Sequence, residues 1–340
     1  MFGIKTKIKR AFGDLFYDDG LKLLRLDPSG ITCNHTCVMC WQQQLSVQQR
    51  RETFIKFHQG KLNIDDYNKL IKSLPKSTKT VELVGGGEPL LFSDINQLIL
   101  TIKRKGLSGL LITNGSLLTK KIRQVLIETK WDTIRFSMHA ATAQTHKNIH
   151  DSNDFAIVTD NIRALLTERN NQLPWVKLLF VIQKGNYQEI AEFIKLAEQL
   201  GVDEVEFDYL IPTSKKELFL SEREIGSVKK NLANCKTFVK NNCDSILEMF
   251  KNNSWSKNKK MKSKYFDDKY CELKYLEVNQ IGVTSPCCLL WHTQASKELS
   301  IKDTDINKIW ESYSLFRKDL RKGKFTPDCI NNCYYNLPKK

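Results

Sequence analysis

Three cysteines lie within eight residues of one another near the start of the chain, in the stretch ITCNHTCVMCW (31–41). The thiols of Cys33, Cys37 and Cys40 suit three kinds of chemistry: a metal site, disulfide pairing or an iron–sulfur cluster. A structural zinc site needs four protein ligands, so zinc would require His35 or a distant cysteine as the fourth. Three thiolates suit a 4Fe–4S cluster that keeps one iron open for another ligand. The spacing alone leaves these interpretations open.

Composition narrows the choice of chemistry. The chain is 41% hydrophobic and 27% charged, which is ordinary for a soluble enzyme, and no run approaches the roughly 20 apolar residues of a membrane span. The start, MFGIKTKIKRAFGDLFYDDG, has neither the apolar centre nor the cleavage site of a signal peptide. We therefore expect a cytoplasmic protein, in which ten reduced cysteines indicate metal binding rather than disulfides.

The net charge of +15 has two interpretations, a solvated lysine-rich surface or attraction to an anionic partner. No segment interleaves basic and aromatic residues as nucleic-acid modules do, so the sequence does not favour a nucleic-acid partner. Residues 1–20 form an amphipathic segment that suits either a membrane surface or the protein's own domain. Packing on the domain is the commoner arrangement, and we favour it.

Beyond residue 20, short apolar runs alternate with longer segments whose apolar residues recur every three or four positions. Several runs are almost continuously hydrophobic, which is typical of parallel strands covered on both faces. The pattern predicts an α/β fold, either an open doubly wound sheet or a partial barrel. The predicted strands are 21–26, 80–85, 110–114, 133–138, 176–182 and 204–210, and the predicted helices are 64–74, 94–105, 118–129, 156–169 and 187–200.

Polar residues gather where these strands end. The stretch GGGEP (85–89) follows the second strand, Asn114 and Gly115 follow the third, and Ser137 with His139 ends the fourth. Each has an ordinary explanation as a turn or a strand end. In parallel α/β folds, however, ligands bind at the carboxyl ends of the strands, so these positions should converge with the cysteine loop.

The cysteine triad followed in order by these positions resembles the radical S-adenosylmethionine (radical SAM) superfamily, and the resemblance covers about residues 21–212. It implies a partial (β/α)6 TIM-like barrel, a 4Fe–4S cluster on the three cysteines, and SAM chelated by the open iron. His139 departs from the acidic residue often found there, so contact with SAM, contact with substrate and a structural role all stay open. The cofactor-binding positions that the resemblance implies are Met39, Trp41, Gly85, Gly86, Gly87, Glu88, Asn114, Ser137 and His139.

The resemblance also implies the reaction. Reduction of the cluster, with a flavodoxin- or ferredoxin-type protein as electron donor, cleaves SAM to a 5′-deoxyadenosyl radical that abstracts hydrogen from a substrate. No catalytic acid or base is implied. Gln183, Asp208 and Tyr209 are weak candidates near the open face, and Asp208 is equally consistent with a structural carboxylate.

The C-terminal cysteines resemble a shortened SPASM or Twitch domain, the auxiliary-cluster appendage of many radical SAM enzymes. We expect residues 213–265 to be a helical, charged linker and residues 266–340 to be this small cysteine-rich domain, with a hairpin that turns at 279–282. Two alternatives stay open for its metal site: Cys288 could replace Cys287 as a ligand, and the four thiols could bind zinc in place of an iron–sulfur cluster. We expect Cys235 and Cys243 to be plain thiols. The resemblance implies a second 4Fe–4S cluster on Cys271, Cys287, Cys329 and Cys333.

The substrate is the least determined part of the prediction. Our first hypothesis is oxidation or rearrangement of a small molecule such as a sugar, an aminocyclitol or a nucleotide derivative. The second is maturation of a ribosomal peptide or a protein side chain. Only 32 residues precede Cys33, so we expect no leader-recognition domain of the kind many peptide maturases carry. RNA modification and a non-catalytic electron carrier are further alternatives, and a carrier has no need of a SAM pocket.

Overall fold

The chain folds around one sheet, seen in a computed structural model that describes residues 20–58, 60–210, 215–234, 275–287 and 299–321, with 324, 326, 327 and 329. The predictions for residues 1–19 and for most of the linker lie outside the described residues. The same is true of Cys235, Cys243, Cys271, Cys288 and Cys333.

The sheet has eight strands in the order β6-β5-β4-β3-β2-β1-β7-β8. Strands β1 to β6 pair in parallel, each with its neighbour along the chain. Strand β7 lies parallel to β1 on its other side, and β8 returns antiparallel to β7. The strands are β1 (Leu23–Leu26), β2 (Thr80–Leu83), β3 (Ser108–Thr113), β4 (Thr133–Ser137), β5 (Trp175–Ile182), β6 (Glu204–Tyr209), β7 (Tyr275–Val278) and β8 (Thr284–Ser285).

Helices connect the parallel strands, and the six predicted strands and five predicted helices are confirmed to within three residues at either end. Two helices were not predicted: α1, directly after the cysteine loop, and α5, directly after β4. The helices are α1 (Val47–His58), α2 (Ile64–Ser73), α3 (Ile95–Arg104), α4 (Lys120–Glu128), α5 (Ala143–His150), α6 (Phe155–Glu168), α7 (Ile190–Leu200), α8 (Glu222–Asn234), α9 (Ile306–Ser312) and α10 (Ser314–Arg321). None of the helices in the described ranges has the length and apolar character to span a bilayer.

Local sequence explains the main helix boundaries. Asn63 and Asp66 form a capping box at the start of α2, with each side chain accepting the other's backbone N–H. Thr142 caps α5 by accepting the N–H of Thr145. Gly201 ends α7 in the left-handed conformation, with φ of 76°.

The two faces of the sheet differ because side chains alternate along each strand. One face carries fully buried residues such as Val81, Phe136 and Phe180, which belong to the hydrophobic core. On the alternate positions β4 and β6 carry half-buried Arg135 and Glu206. Among the described residues, β6 and β8 do not pair with each other, so the sheet stays open. The predicted partial barrel is confirmed, with charged residues on its concave face.

The predicted C-terminal hairpin is confirmed, and its place in the sheet was not predicted. The N–H of Gly282 donates to the carbonyl of Asn279, and Asn279 pairs with Val283 across the turn. Strand β7 extends the barrel sheet, with Glu277 beside Arg25 of β1. The hairpin therefore shares its hydrogen bonds with the barrel, and the proposed domain boundary at residue 266 stays a prediction.

One arginine ties the hairpin to the barrel. Arg25 Nε donates to Glu82 on β2 at 2.5 Å, and its Nη1 contacts Glu277 on β7 at 3.3 Å. The guanidinium lies over the ring of Tyr275, 4.7 Å from its centre. Both carboxylates are more than four-fifths buried, so Arg25 neutralises charge on three adjacent strands.

We predict that Arg25→Met lowers the free energy of unfolding by about 2 kcal/mol, between the values for exposed and fully buried ion pairs. Two mostly buried carboxylates lose their shared cation, so amide hydrogen exchange in β7 should accelerate more than in β5. Denaturant titration and mass-detected exchange measure both effects. Arg163→Met, which removes an exposed pair with Asp160, is the control. Equal effects of the two variants would contradict this role of Arg25.

Candidate functional site

The cysteine loop follows β1 and begins at its carboxyl end. Cys33 is exposed, Cys37 and Cys40 are half-buried, and all three carry reduced thiols. The N–H of Cys40 donates to the carbonyl of Cys37 at 3.0 Å, which turns the chain so that both side chains lie on one short loop. The three thiols therefore lie on one short loop at the end of β1.

The electrostatics of the thiols suit a cationic ligand. Although Cys33 is exposed, desolvation by the surrounding protein raises the pKa of its thiol to about 11, and the nearby Glu88 and Cys40 add to the rise. Burial also raises the pKa of Cys37, and the charges of Cys40 and Cys33 raise it further. Three adjacent thiolates are thus unfavourable by themselves, and bound iron would stabilise them.

The spacing of the sulfur atoms distinguishes between metals. Within the part of the chain that the structure describes, the three thiols are not a group whose ligand atoms all lie within 4.8 Å of one another. A single zinc ion needs all its ligands within about 2.3 Å of the metal, hence close together. A 4Fe–4S cluster spreads its thiolates because each binds a different iron. The donor set therefore fits the cluster better than zinc.

The glycine-rich loop after β2 packs directly on the cysteine loop. The N–H of Glu88 donates to the carbonyl of Thr32 at 2.9 Å, and Gln42 Nε2 donates to the carbonyl of Gly86 at 2.5 Å. A Cβ at Gly87 would collide with the backbone of Thr32. The glycines therefore permit contact between two backbone segments, and contact with a ligand stays a prediction.

Asp27 joins the two loops, and sequence reasoning missed it. Its carboxylate accepts the N–H of Gly30 at 2.7 Å and the N–H of Gly86 at 3.1 Å. Burial raises the pKa of Asp27 to about 7, while these backbone donors oppose the rise. The available signal was an acid at the end of a strand, followed by Pro28.

Glu88 is 2% exposed and joins the ends of β2 and β3. Its Oε1 accepts from Thr113 Oγ1 at 2.6 Å and from the N–H of Leu90 at 3.0 Å, while Oε2 accepts the N–H of Asn114 at 2.8 Å. A carboxylate offers about four acceptor positions, so these donors leave little capacity for another. The cofactor-binding role that the resemblance implies for Glu88 stays a prediction.

Asn114 supports the cysteine loop from the third strand. Its Nδ2 donates to Asn34 Oδ1 at 2.9 Å, and its Oδ1 accepts the N–H of Ser116 at 3.0 Å. Asn34 Nδ2 in turn donates to Ser116 Oγ at 2.8 Å. Asn34, between two of the cysteines, thus ties the loop to the turn after β3.

Ser137 and His139 lie at the end of β4, as predicted. Ser137 is half-buried and occupies the concave face, opposite the core residue Phe136. His139 is buried, with φ of 51°, and its Nδ1 accepts the N–H of Val181 at 3.1 Å. Burial lowers the pKa of His139 to about 3, so the ring is neutral at ordinary pH. This geometry supports the structural role among the three left open.

The weak catalytic candidates lie in different surroundings. Asp208 is exposed on the concave face, where desolvation by the surrounding protein still raises its pKa. Gln183 is 1% exposed, and neither amide atom has a partner among the described residues. Tyr209 packs on the opposite face, where its hydroxyl accepts the N–H of Leu220 at 3.3 Å. Of the three, Asp208 is the one that lines the open face.

One thiol of the cysteine loop contacts a histidine that the sequence did not predict to lie nearby. Cys37 Sγ lies 3.3 Å from His150 Nδ1, a contact from the unpredicted helix α5.

Of the four proposed auxiliary ligands, Cys287 and Cys329 lie within the described residues, and both carry reduced thiols. The auxiliary cluster therefore stays a prediction.

Curated relatives match part of the chain. The probable GTP 3′,8-cyclase of Saccharolobus islandicus (strain Y.N.15.51 / Yellowstone #2) is 31% identical over 139 residues, which are 41% of this chain and 44% of the relative. That of Metallosphaera sedula is 31% identical over 135 residues, 39% of this chain and 41% of the relative. The chain thus spans less than half the length of these relatives.

Solved structures share the fold. SuiB of Streptococcus suis bound to its precursor peptide SuiA has a TM-score of 0.66 at 14% identity, covering 98% of this chain and 74% of SuiB. The protein anSMEcpe with bound AdoMet has a TM-score of 0.64 at 16% identity, covering 93% of this chain and 88% of that protein. At these identities the likeness establishes the fold alone.

The profile of the radical SAM superfamily matches residues 28–197, which is half of the 340-residue chain and includes all three loop cysteines. Membership of that superfamily implies a 4Fe–4S cluster and SAM. On the profile match and the shared fold, the chain belongs to the radical SAM superfamily of enzymes.

Proposed function

We propose that Cys33, Cys37 and Cys40 hold three irons of a 4Fe–4S cluster and that the fourth iron binds SAM. One observation carries this proposal: three reduced thiols lie on a loop that the ends of β1, β2 and β3 all brace. When bound and reduced, the cluster supplies the electron that cleaves SAM to a 5′-deoxyadenosyl radical for hydrogen abstraction. The protein supplies the position of the thiols and the walls of the site.

The residues around the loop would bind SAM in distinct ways. Trp41 is 46% exposed beside Gly86, where its ring can cover the site from solvent. The backbone of the glycine loop offers polar groups for the methionyl end of SAM, and Ser137 offers a hydroxyl at the end of β4. Glu88 would act chiefly by holding that loop against Asn114. Met39 and His139 complete the proposed set.

The proposed substrate is a small polar molecule of the sugar, aminocyclitol or nucleotide type. The concave face of the barrel supports this class because four charged side chains lie among its aliphatic ones: Arg135, Lys177, Glu206 and Asp208. Arg135 Nη1 lies 3.4 Å from the nearer oxygen of Glu206, a long contact that a polar ligand could replace. The probable GTP 3′,8-cyclases among the relatives favour a nucleotide within this class.

The second candidate function is modification of a ribosomal peptide or a protein side chain. SuiB in complex with its precursor peptide shares the fold, with 98% of this chain covered. In either case an auxiliary 4Fe–4S cluster on Cys271, Cys287, Cys329 and Cys333 would receive the electron left on the substrate. A flavodoxin- or ferredoxin-type protein is the proposed electron donor.

We predict that the Cys33/Cys37/Cys40→Ala triple variant loses about four of about eight irons after anaerobic reconstitution and forms no 5′-deoxyadenosine with SAM and dithionite. The matched control is Cys287/Cys329→Ala, which should lose the other four irons and still cleave SAM. Iron and sulfide analysis with chromatography of the nucleoside measures both. Cleavage of SAM by the triple variant would exclude the proposed function. An unchanged iron count in the control would exclude the auxiliary cluster alone.

We also predict that Glu88→Gln weakens SAM binding about tenfold. The amide keeps one acceptor but turns an N–H toward the backbone N–H of Asn114, so a buried donor loses its partner at a cost of about 1–3 kcal/mol. Equilibrium dialysis of the reconstituted protein with labelled SAM measures the change. Glu128→Gln, at an exposed position on α4, is the control. Equal affinities for the two variants would contradict the role given to Glu88.

A further inference from the structure

Four of the chain's six histidines gather behind the cysteine loop. His150 stacks between His139, at 5.2 Å and 8° between ring planes, and His146, at 4.4 Å and 29°. His35 meets the ring of His150 edge-on at 5.4 Å. Imidazoles are seldom buried together, so such a group needs specific hydrogen bonds to fix it.

Asp154, directly before α6, makes those bonds. Its Oδ2 lies 2.7 Å from His35 Nε2 and its Oδ1 lies 2.8 Å from His146 Nε2. An ionised carboxylate only accepts hydrogen bonds, so both rings donate through Nε2–H. Burial opposes the charge, yet the hydrogen bonds from His35, Ser152 and His146 lower the pKa of Asp154 to about 2. The carboxylate thus stays ionised and fixes the tautomer and orientation of two rings.

The alternative that these three side chains bind a metal fits the geometry less well. Their ligand atoms do lie within 4.8 Å of one another. A histidine that ligates a metal normally donates its other ring N–H to an acceptor. Within the described residues, however, His35 Nδ1 and His146 Nδ1 are buried with no hydrogen-bond partner. A bare Nδ1 fits a ring whose proton is already on Nε2, facing Asp154.

Both rings held by Asp154 lead to the cysteines. His35 is part of the cysteine loop, and its backbone N–H donates to Cys33 Sγ at 3.4 Å. His146 stacks on His150, whose Nε2–H donates to the carbonyl of Met138 at 2.7 Å. The other nitrogen of His150 lies 3.3 Å from Cys37 Sγ. One carboxylate therefore reaches Cys33 along one path and Cys37 along the other.

We propose that Asp154 is a positioning residue for the cluster-binding thiols, acting through His35 on the loop and through His146 and His150 on Cys37. The proposal rests on the proposed function, in which these thiols hold the cluster. In the cluster-free protein, a mostly buried carboxylate would then already hold the thiols in place. Cluster binding then requires less ordering of the loop.

The first test uses the cluster-free full-length chain, in which alkylation by iodoacetamide reports the accessibility of each thiol. In Asp154→Asn one amide N–H must face an Nε2–H donor, so one of the two rings loses its partner. We expect Cys37 to be alkylated at least about threefold faster, with the ratio of its rate to that of buried Cys329 also raised. Asp160→Asn, an exposed substitution on α6, should leave every rate unchanged.

The second test uses the reconstituted protein. We expect Asp154→Asn to lose iron to a chelator several-fold faster than wild type and to shift the electron paramagnetic resonance g-values of the reduced SAM-binding cluster. Asp154→Glu, which keeps the carboxylate, should restore the spectrum at least in part. A variant that merely loses stability would raise all thiol rates together and would not regain the spectrum with glutamate.

The outcomes separate the two proposals. Wild-type alkylation rates and a wild-type spectrum in Asp154→Asn would overturn the positioning role, whatever the cluster does. A wild-type chain that binds no iron on the three cysteines would overturn the proposed function, while the alkylation result still decides the role of Asp154. If Asp154→Asn does not fold, His146→Gln, which leaves the bond from His35 intact, should raise the alkylation rate of Cys37 more than that of Cys33. Equal increases in the alkylation rates of Cys37 and Cys33 in that variant would refute the positioning role of Asp154.

Discussion

The carboxylate of Asp27 is the contact on which the geometry of the site depends. It accepts backbone N–H groups from the cysteine loop and from the glycine loop, which belong to the ends of two adjacent strands. Two further hydrogen bonds join the same loops, from the N–H of Glu88 to the carbonyl of Thr32 and from Gln42 Nε2 to the carbonyl of Gly86. Asp27 is half-buried, and desolvation raises its pKa while the N–H donors of Gly30 and Gly86 oppose the rise, so the carboxyl group and the two loops stabilise one another.

The same principle recurs around the loop. Glu88 joins the ends of β2 and β3, Asn114 holds Asn34, and Asp154 holds two histidines behind Cys37. Each is a polar side chain that is buried or mostly so, and each has at least one partner in a loop at the carboxyl ends of the strands. The parallel sheet provides the rigid frame, and these side chains hold the loop with the three thiols in place relative to the strand ends.

Much of this could be predicted from sequence, for identifiable reasons. The strands and helices show their own periodicity, the cysteine spacing is local, and the parallel sheet brings the strand ends to one edge. The pairing of β7 with β1 could not be predicted, because about 250 residues separate the partners and any exposed strand edge can accept a strand. Asp27 and Asp154 were missed for a related reason. A lone acid in a sequence carries no sign of its burial or of its partners.

The hairpin also changes how the C-terminal segment is understood. Gln280 lies in the hairpin turn, and its side-chain amide packs so closely against Gly30 that a Cβ at residue 30 would collide with it. The backbone carbonyl of Gln280 accepts the N–H of Leu62. The hairpin that precedes Cys287 therefore belongs to the same sheet as β1, the strand that leads into the cysteine loop.

The central claim is that the cluster on Cys33, Cys37 and Cys40 has an open iron for SAM. The most direct measurement is electron paramagnetic resonance of the reduced Cys287/Cys329→Ala variant, in which the SAM-binding cluster alone should contribute, before and after addition of SAM. We predict that SAM changes the g-values, because it becomes a ligand of the iron that lacks a thiolate. An unchanged spectrum in protein that demonstrably binds SAM would mean that the fourth iron is already ligated, and would contradict the account.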